Sequence, residues 1–277
     1  MINIGQFNTL KVVKQVEFGV YLDGGERGEI LLPRRYVPPT TQLNDALDVF
    51  IYFDSDDCLI ATTEKPKIHC GQCALLTVKD VNRVGAFMDW GLMKDLLVPY
   101  AEQHKPFEVG QKYVVTAYTD KHSGRILASS KLHRHLNETA THFKPLTPCA
   151  LLVFGKTDMG YKVVIEDRYL GLIFRDEAFK PLKYGQRLNG YIKGARSDGK
   201  LDVVLQLPAA LGRDELSKRI LAYIKEQGGE SLITDKSPPE EIYALFNVSK
   251  ANFKKAIGGL LKINKITLTK DSIKLNK

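Results

Sequence analysis

The feature that most constrains this chain is an internal repeat at two fixed offsets. Gly19-Val-Tyr-Leu-Asp23 recurs 66 residues later as Gly85-Ala-Phe-Met-Asp89, and Pro33 falls opposite Pro99 at the same spacing. Lys105-Pro106, Gly110-Gln111 and Gly124 then recur 75 residues on as Lys180-Pro181, Gly185-Gln186 and Gly199, and Gly85 meets Gly160 at that offset. A shared offset held across such spans requires duplicated units, here about 1–65, 72–136 and 147–207.

The composition of the units says what they are. The clearest copy, Gly85 to Ser129, contains short runs rich in β-branched and aromatic residues, separated by Gly, Asp and Pro. That is the pattern of a closed or nearly closed antiparallel barrel. Alternation in Leu47–Phe53 and Tyr161–Ile165 predicts strands with one face in the barrel and the other in solvent. Ser55-Asp-Asp57 and Ser197-Asp-Gly199 read as turns. A short polar helix-like stretch is expected at 131–140, before the boundary near Pro145.

After Pro208 the period changes to that of helices. Asp214–Glu226 places Leu216, Ile220, Tyr223 and Ile224 on one face and stops at Gly228-Gly229. Ser237-Pro-Pro-Glu240 reads as a capping box for a second helix ending near Phe246. Ser249 caps a third helix with Phe253, Ile257, Leu260 and Leu261 facing inward, and Lys265–Thr269 with Ser272–Leu275 form a hairpin. Three helices and a hairpin give the order of a winged helix. The expected architecture is mainly β with a C-terminal α+β unit, divided at 1–66, 67–142, 143–211 and 212–277.

Charge points to a polyanion. The net is +8 over 277 residues, and the four units carry −4, +3, +4 and +5. From Asn247 onward eight lysines face Asp271 alone. Such a cluster releases counterions on meeting phosphates, so its binding would depend on salt. The amino terminus has no secretory pattern and no apolar run approaches the roughly 18 residues of a membrane span. The expectation is a cytoplasmic chain without a membrane partner.

The middle copy resembles the RNA-binding domain named after ribosomal protein S1, in Gly85-Ala-Phe-Met-Asp89, Asp120 and Gly124-Arg-Ile-Leu-Ala-Ser129. The resemblance implies an OB-fold barrel in which Phe87 stacks a base and Asp120 and Arg125 form a polar pair near the end of the barrel. The family's histidine is replaced by Pro99, and by Pro33 and Phe174 in the other copies. The counterparts are Tyr21, Ser55 and Cys58 in the first copy and Lys162, Ala195 and Lys200 in the third. Trp90 and Tyr118 are further ring candidates. The basic surface of the winged helix comprises Lys250, Lys254, Lys255, Lys262, Lys265 and Lys270. With three such barrels and a winged helix, the whole chain resembles the conserved virulence factor B family of bacterial RNA-binding regulators. That likeness implies a non-catalytic protein binding RNA, expected to be single-stranded, in post-transcriptional control.

Two other readings stay open. The third helix could enter a DNA major groove, with Asn252 and nearby lysines, or the barrels could be a protein-interaction scaffold on the ribosome or RNA polymerase. No cofactor or metal is expected. His69-Cys70-Gly-Gln-Cys73 holds a CxxC without the further ligands that zinc requires, and no phosphate loop or nucleophile elbow is present.

Overall fold

Three glycines at the repeat offsets set the geometry of the barrels. In the computed structural model, which describes residues 2–178, 181–206, 212–269 and 271–276, Gly19, Gly85 and Gly160 each open the second strand of a five-stranded unit. They share nearly one backbone conformation, with φ of 157°, 155° and 154°. A Cβ there would lie 2.2 Å from the Leu32 carbonyl oxygen, 2.3 Å from that of Val98 and 2.0 Å from that of Ile173. No side chain fits so close a backbone approach, so glycine is required.

The first barrel comprises β1 (Phe7–Val16), β2 (Gly19–Asp23), β3 (Glu29–Pro33), β4 (Ala46–Phe53) and β5 (Leu59–Thr62). The middle unit comprises β6 (Cys73–Asn82), β7 (Gly85–Asp89), β8 (Leu96–Pro99), β9 (Lys112–Thr119) and β10 (Ile126–Ser129). The third comprises β11 (Pro148–Lys156), β12 (Gly160–Ile165), β13 (Tyr169–Phe174), β14 (Arg187–Ala195) and β15 (Leu201–Val204). The first and third close in the order 1-2-3-5-4. Parallel pairing of Leu31 with Ile60 seals the first, and pairing of Gly171 and Leu172 with Leu201 and Asp202 seals the third. In the middle unit β8 and β10 are the outer strands of a five-stranded sheet and lie against each other without a paired ladder. The mainly β architecture expected from the sequence is what forms.

Each first strand carries a bulge at the same place: Val12/Lys14, Val78/Asp80 and Val153/Gly155. The extra residue bends the strand and lets a small barrel close. The repeat glycine pairs with Pro33, Pro99 or Phe174, and a 3-10 turn follows at once in each unit.

The barrels share cores, which corrects one expectation. Strand β4 does not turn one face to solvent. Val49 and Ile51 fill the first barrel, while Phe50 and Tyr52 enter the core of the middle unit with Trp90, Met88 and Leu96. Val-Phe-Ile-Tyr is apolar at every position, the mark of a strand buried on both faces. Cys73, Val114, Leu132, Leu152 and Val164 likewise join the middle and third units. The stretch at 131–140 forms only a 3-10 turn, Leu132–Arg134, and then an isolated bridge from Asn137 to Tyr169.

The C-terminal unit contains α1 (Gly212–Glu226), β16 (Glu230–Ser231), α2 (Pro239–Phe246), α3 (Lys250–Lys262), β17 (Ile266–Leu268) and β18 (Ile273–Leu275). Its strands order as β16-β18-β17, and Ile220, Ile242, Phe246, Phe253, Ile257 and Leu260 form its core, whereas Leu261, expected inward, lies one position round the helix from Leu260 and is exposed. Strand β16 extends the expected hairpin to three strands. Ser249 caps α3 as expected, accepting from the Asn252 backbone N–H. The capping box on α2 does not form. Pro238 is the N-cap, and the Ser237 hydroxyl instead accepts from the Thr234 N–H at 3.0 Å. The repeat residue Lys180 and the break at Pro208 lie outside the described residues. No described helix is long and apolar enough to cross a membrane.

Gly85→Ala is therefore expected to cost about 2–4 kcal/mol in urea denaturation, because strain and the carbonyl clash combine. Gly25→Ala, at φ 58° with open space around it, should cost only about 1 kcal/mol.

Candidate nucleic-acid interface

The same register places one residue of each barrel at the same point on its outer face. Tyr21 pairs with Leu31, Phe87 with Leu97 and Lys162 with Leu172, and each faces the bulge across β1, β6 or β11. The residue before each repeat glycine stands exposed at the hairpin tip: Phe18, Val84 and Met159, at 58%, 49% and 52%. The sequence reading missed these three, although their place beside the repeat glycines marks them. Three faces thus share one geometry and differ in chemistry.

The first face is aromatic. Phe18 meets Tyr21 edge-on at 6.3 Å and the Lys14 ammonium lies 5.5 Å from the Tyr21 ring centre. An exposed ring flanked by a cation can stack a base, a contact worth about 1–3 kcal/mol.

The middle face is covered. Phe87 is half-buried in a cleft of about 300 Å³ whose other wall is Phe53, Ser55 and Asp57 of the first barrel. Trp90 is not a surface ring. It is 3% exposed, packs edge-on against Phe50 at 5.7 Å and Tyr52 at 6.2 Å, and donates its indole N–H to the Lys94 carbonyl. Burying its ring between two barrels leaves no face for a base. Arg125 pairs with Asp57, and the Lys94 ammonium lies 3.4 Å from the same carboxylate.

Asp120 and Arg125 do not bond through their side chains. The Asp120 carboxylate accepts from the Ser123 N–H at 2.8 Å and hydroxyl at 2.6 Å, and the Ser123 hydroxyl bond holds its pKa below the usual range. Its backbone N–H bonds the Arg125 carbonyl. The equivalent turn bonds run from Asp54 to Cys58 and from Arg196 to Lys200. The structure thus puts Asp54 and Arg196, not Ser55 and Ala195, at the Asp120 position. The middle turn is one residue longer, which shifts the comparison at the 75-residue offset onto Ala195, whereas the 66-residue offset falls on Asp54 itself.

The third face is cationic. Lys162 and Lys200 come together in a cleft of about 680 Å³ between the middle and third units, with Lys131, Lys156 and Arg196 also on its walls. Glu138 is the only acidic residue lining it among the described residues, and Phe154, Met159, Leu170 and Leu172 supply apolar surface. Arg196 pairs with Asp202 at 2.6 Å and Lys131 donates to the Ala101 carbonyl at 2.7 Å. Lys200 is 3.7 Å from Asp198, and Lys156 and Lys162 have no ion pair among the described residues. A cleft with apolar patches and unpaired ammonium groups can seat bases and hold phosphates at once.

Tyr118 lies apart, in a second cleft where the three barrels meet. Its ring packs on His135 at 4.2 Å, and burial followed by the nearby Glu102 charge pushes its hydroxyl up to about 12. On the winged helix, Lys255, Lys262 and Lys265 are exposed. Lys254 lies 3.7 Å from Asp235, and Lys250 donates to the carbonyls of Lys236 and Ser237 at 3.1 and 2.8 Å. Lys270 lies outside the described residues. Asn252 donates to the Gln206 side chain at the end of the third barrel. Cys70 and Cys73 are buried free thiols, each raised above the ordinary thiol range chiefly by desolvation.

Comparison with known proteins agrees with the repeat. A family model described as S1 domain matches residues 4–64 and 70–131, and one described as CvfB-like winged helix domain matches residues 218–275. The chain is 31% identical to uncharacterized protein YitL of Bacillus subtilis (strain 168), over 95% of this chain and 90% of that protein. It is 29% identical to conserved virulence factor B of Staphylococcus aureus (strain N315), over 96% and 94%. A crystal structure of a multidomain protein with nucleic acid binding domains from Streptococcus pneumoniae is 23% identical. It covers 99% of this chain and 98% of that one, with a TM-score of 0.42.

Trp90→Ala is expected to cost about 3–5 kcal/mol, as for a core ring. Phe87→Ala, which removes a half-buried one, should cost under about 2 kcal/mol. Urea unfolding followed by circular dichroism distinguishes the two.

Proposed function

The chain belongs to the conserved virulence factor B family, whose members join S1 domains to a CvfB-like winged helix, and on that footing we propose that it binds single-stranded RNA without catalysing a reaction on it. The observation that carries this reading is the third face, where Lys162 and Lys200 stand with Lys156 above an apolar floor. Phosphates would meet the ammonium groups while bases rest on Phe154 and Leu172. The aromatic face at Phe18 and Tyr21 would add stacking at a second point along the strand. Linked modules raise each other's effective concentration, so faces that are individually weak can sum to useful affinity.

In this reading the exposed lysines of the winged helix, Lys255, Lys262 and Lys265, add affinity that does not depend on sequence. A role in control of gene expression rests on the name of the relatives, conserved virulence factor B. The DNA-binding alternative is weaker because Asn252 on α3, the side chain suited to reading adenine, is engaged by Gln206. Base readout in the major groove needs such a side chain free.

Filter binding with oligouridine, duplex RNA, single-stranded DNA and duplex DNA over a salt series tests the proposal. Single-stranded RNA should bind tightest. Lys162→Glu combined with Lys200→Glu should weaken it and lower the salt slope by about 1.4, or roughly 0.7 for each lost phosphate contact. Duplex DNA outcompeting oligouridine contradicts the reading.

A further inference from the structure

The middle face carries the most S1-like residues, yet a neighbour from the same chain lies on it. The turn from Asp54 to Cys58 is preformed. The Asp54 carboxylate accepts from the Asp56 and Cys58 N–H groups, each at 2.9 Å, and the Asp54 N–H bonds the Cys58 carbonyl at 2.9 Å. Asp57 sits at its tip in the left-handed conformation, φ 59°. From there its carboxylate accepts from the Arg125 guanidinium and lies 3.4 Å from the Lys94 ammonium, which also donates to the Asp54 carbonyl. Both cations line the Phe87 cleft. The carboxylate thus stands where a phosphate would be held beside a base stacked on Phe87.

The placement of the turn is not accidental to a loose contact. Phe50 and Tyr52, on the strand that leads into it, are buried against Trp90. The shared core fixes where the turn projects. The ion pair itself is open to solvent, with the Arg125 and Asp57 side chains 53% and 45% exposed. Exposed pairs exchange partners at little cost.

We infer that the acidic turn of the first barrel is a built-in competitor for RNA at the middle barrel. Asp57 holds Arg125 and Lys94 in place of a phosphate, and RNA reaches the Phe87 face only by displacing it. The inference rests on the RNA-binding reading above. It also gives a reason for a barrel of net charge −4 in a chain that binds a polyanion: its acidic groups act on the chain's own cations.

The test uses the full chain and a fluorescein-labelled 12-mer oligouridine, with anisotropy titrations of the wild type, Asp57→Asn, Arg125→Ala and the double variant. Asn tolerates the left-handed position, and thermal melts confirm that each variant is folded. Asp57→Asn should bind about two- to fivefold tighter, the range available from one exposed ion pair. Arg125→Ala should cost more affinity in the Asp57→Asn background, where the guanidinium is free for a phosphate, than in the wild type, where Asp57 holds it. Equal affinity of Asp57→Asn and wild type overturns the inference, as does an Arg125→Ala loss of the same size in both backgrounds. A wild-type chain that does not bind oligouridine contradicts the underlying reading instead.

Discussion

A backbone contact too close for any side chain underlies the rest of this molecule. At Gly19, Gly85 and Gly160 the second strand of each barrel presses against the carbonyl of the third, leaving no room for a Cβ. The contact pins the register of the two strands. Once it is pinned, the residue two places on must face outward beside the bulge, because side chains alternate along a strand. Tyr21, Phe87 and Lys162 occupy equivalent positions for that reason, and not because their side chains are alike.

From this common frame the three faces diverge through their surroundings. The first keeps an exposed Phe18 ring against a half-buried Tyr21, with a lysine beside it. The middle face loses its openness because Phe50 and Tyr52 of the first barrel find their burial against Trp90, and the acidic turn follows them onto Arg125. The third owes its charge to the barrel's own Lys156, Lys162 and Lys200, to which the connection between units adds Lys131 and Glu138. Burial of large rings drives the barrels together. The electrostatics of the faces are then a consequence of which surfaces that burial leaves open.

Much of the fold was legible in the sequence because repeats, turn residues and periodicity are local signals. The glycines announced the barrels and the change of period announced the winged helix. The site was less legible because it depends on contacts between distant residues. Nothing near Trp90 in the chain shows that Phe50 and Tyr52 will cover it. Asp57 and Arg125 are 68 residues apart, so the guanidinium that matches the S1 pattern gave no sign that it would be paired. The continuous apolar run from Val49 to Phe53 carries the signal of burial on both faces, which overrides the alternation of the longer Leu47–Phe53 run. Lys162 and Lys200 stand where the middle copy has an aromatic and an arginine. Together with Lys156 they form a more open cationic surface than the middle barrel offers.

The central claim is that single-stranded RNA lies on the third and first faces while the middle one stays covered. Photocrosslinking of 4-thiouridine-substituted RNA to the full chain, with peptides mapped by mass spectrometry, tests it most directly. The account predicts crosslinks to peptides containing Phe154, Lys162 and Lys200 and to the Phe18–Tyr21 hairpin, with little yield at Phe87. Crosslinks concentrated at Phe87 and Arg125, with the third face unmarked, would contradict it.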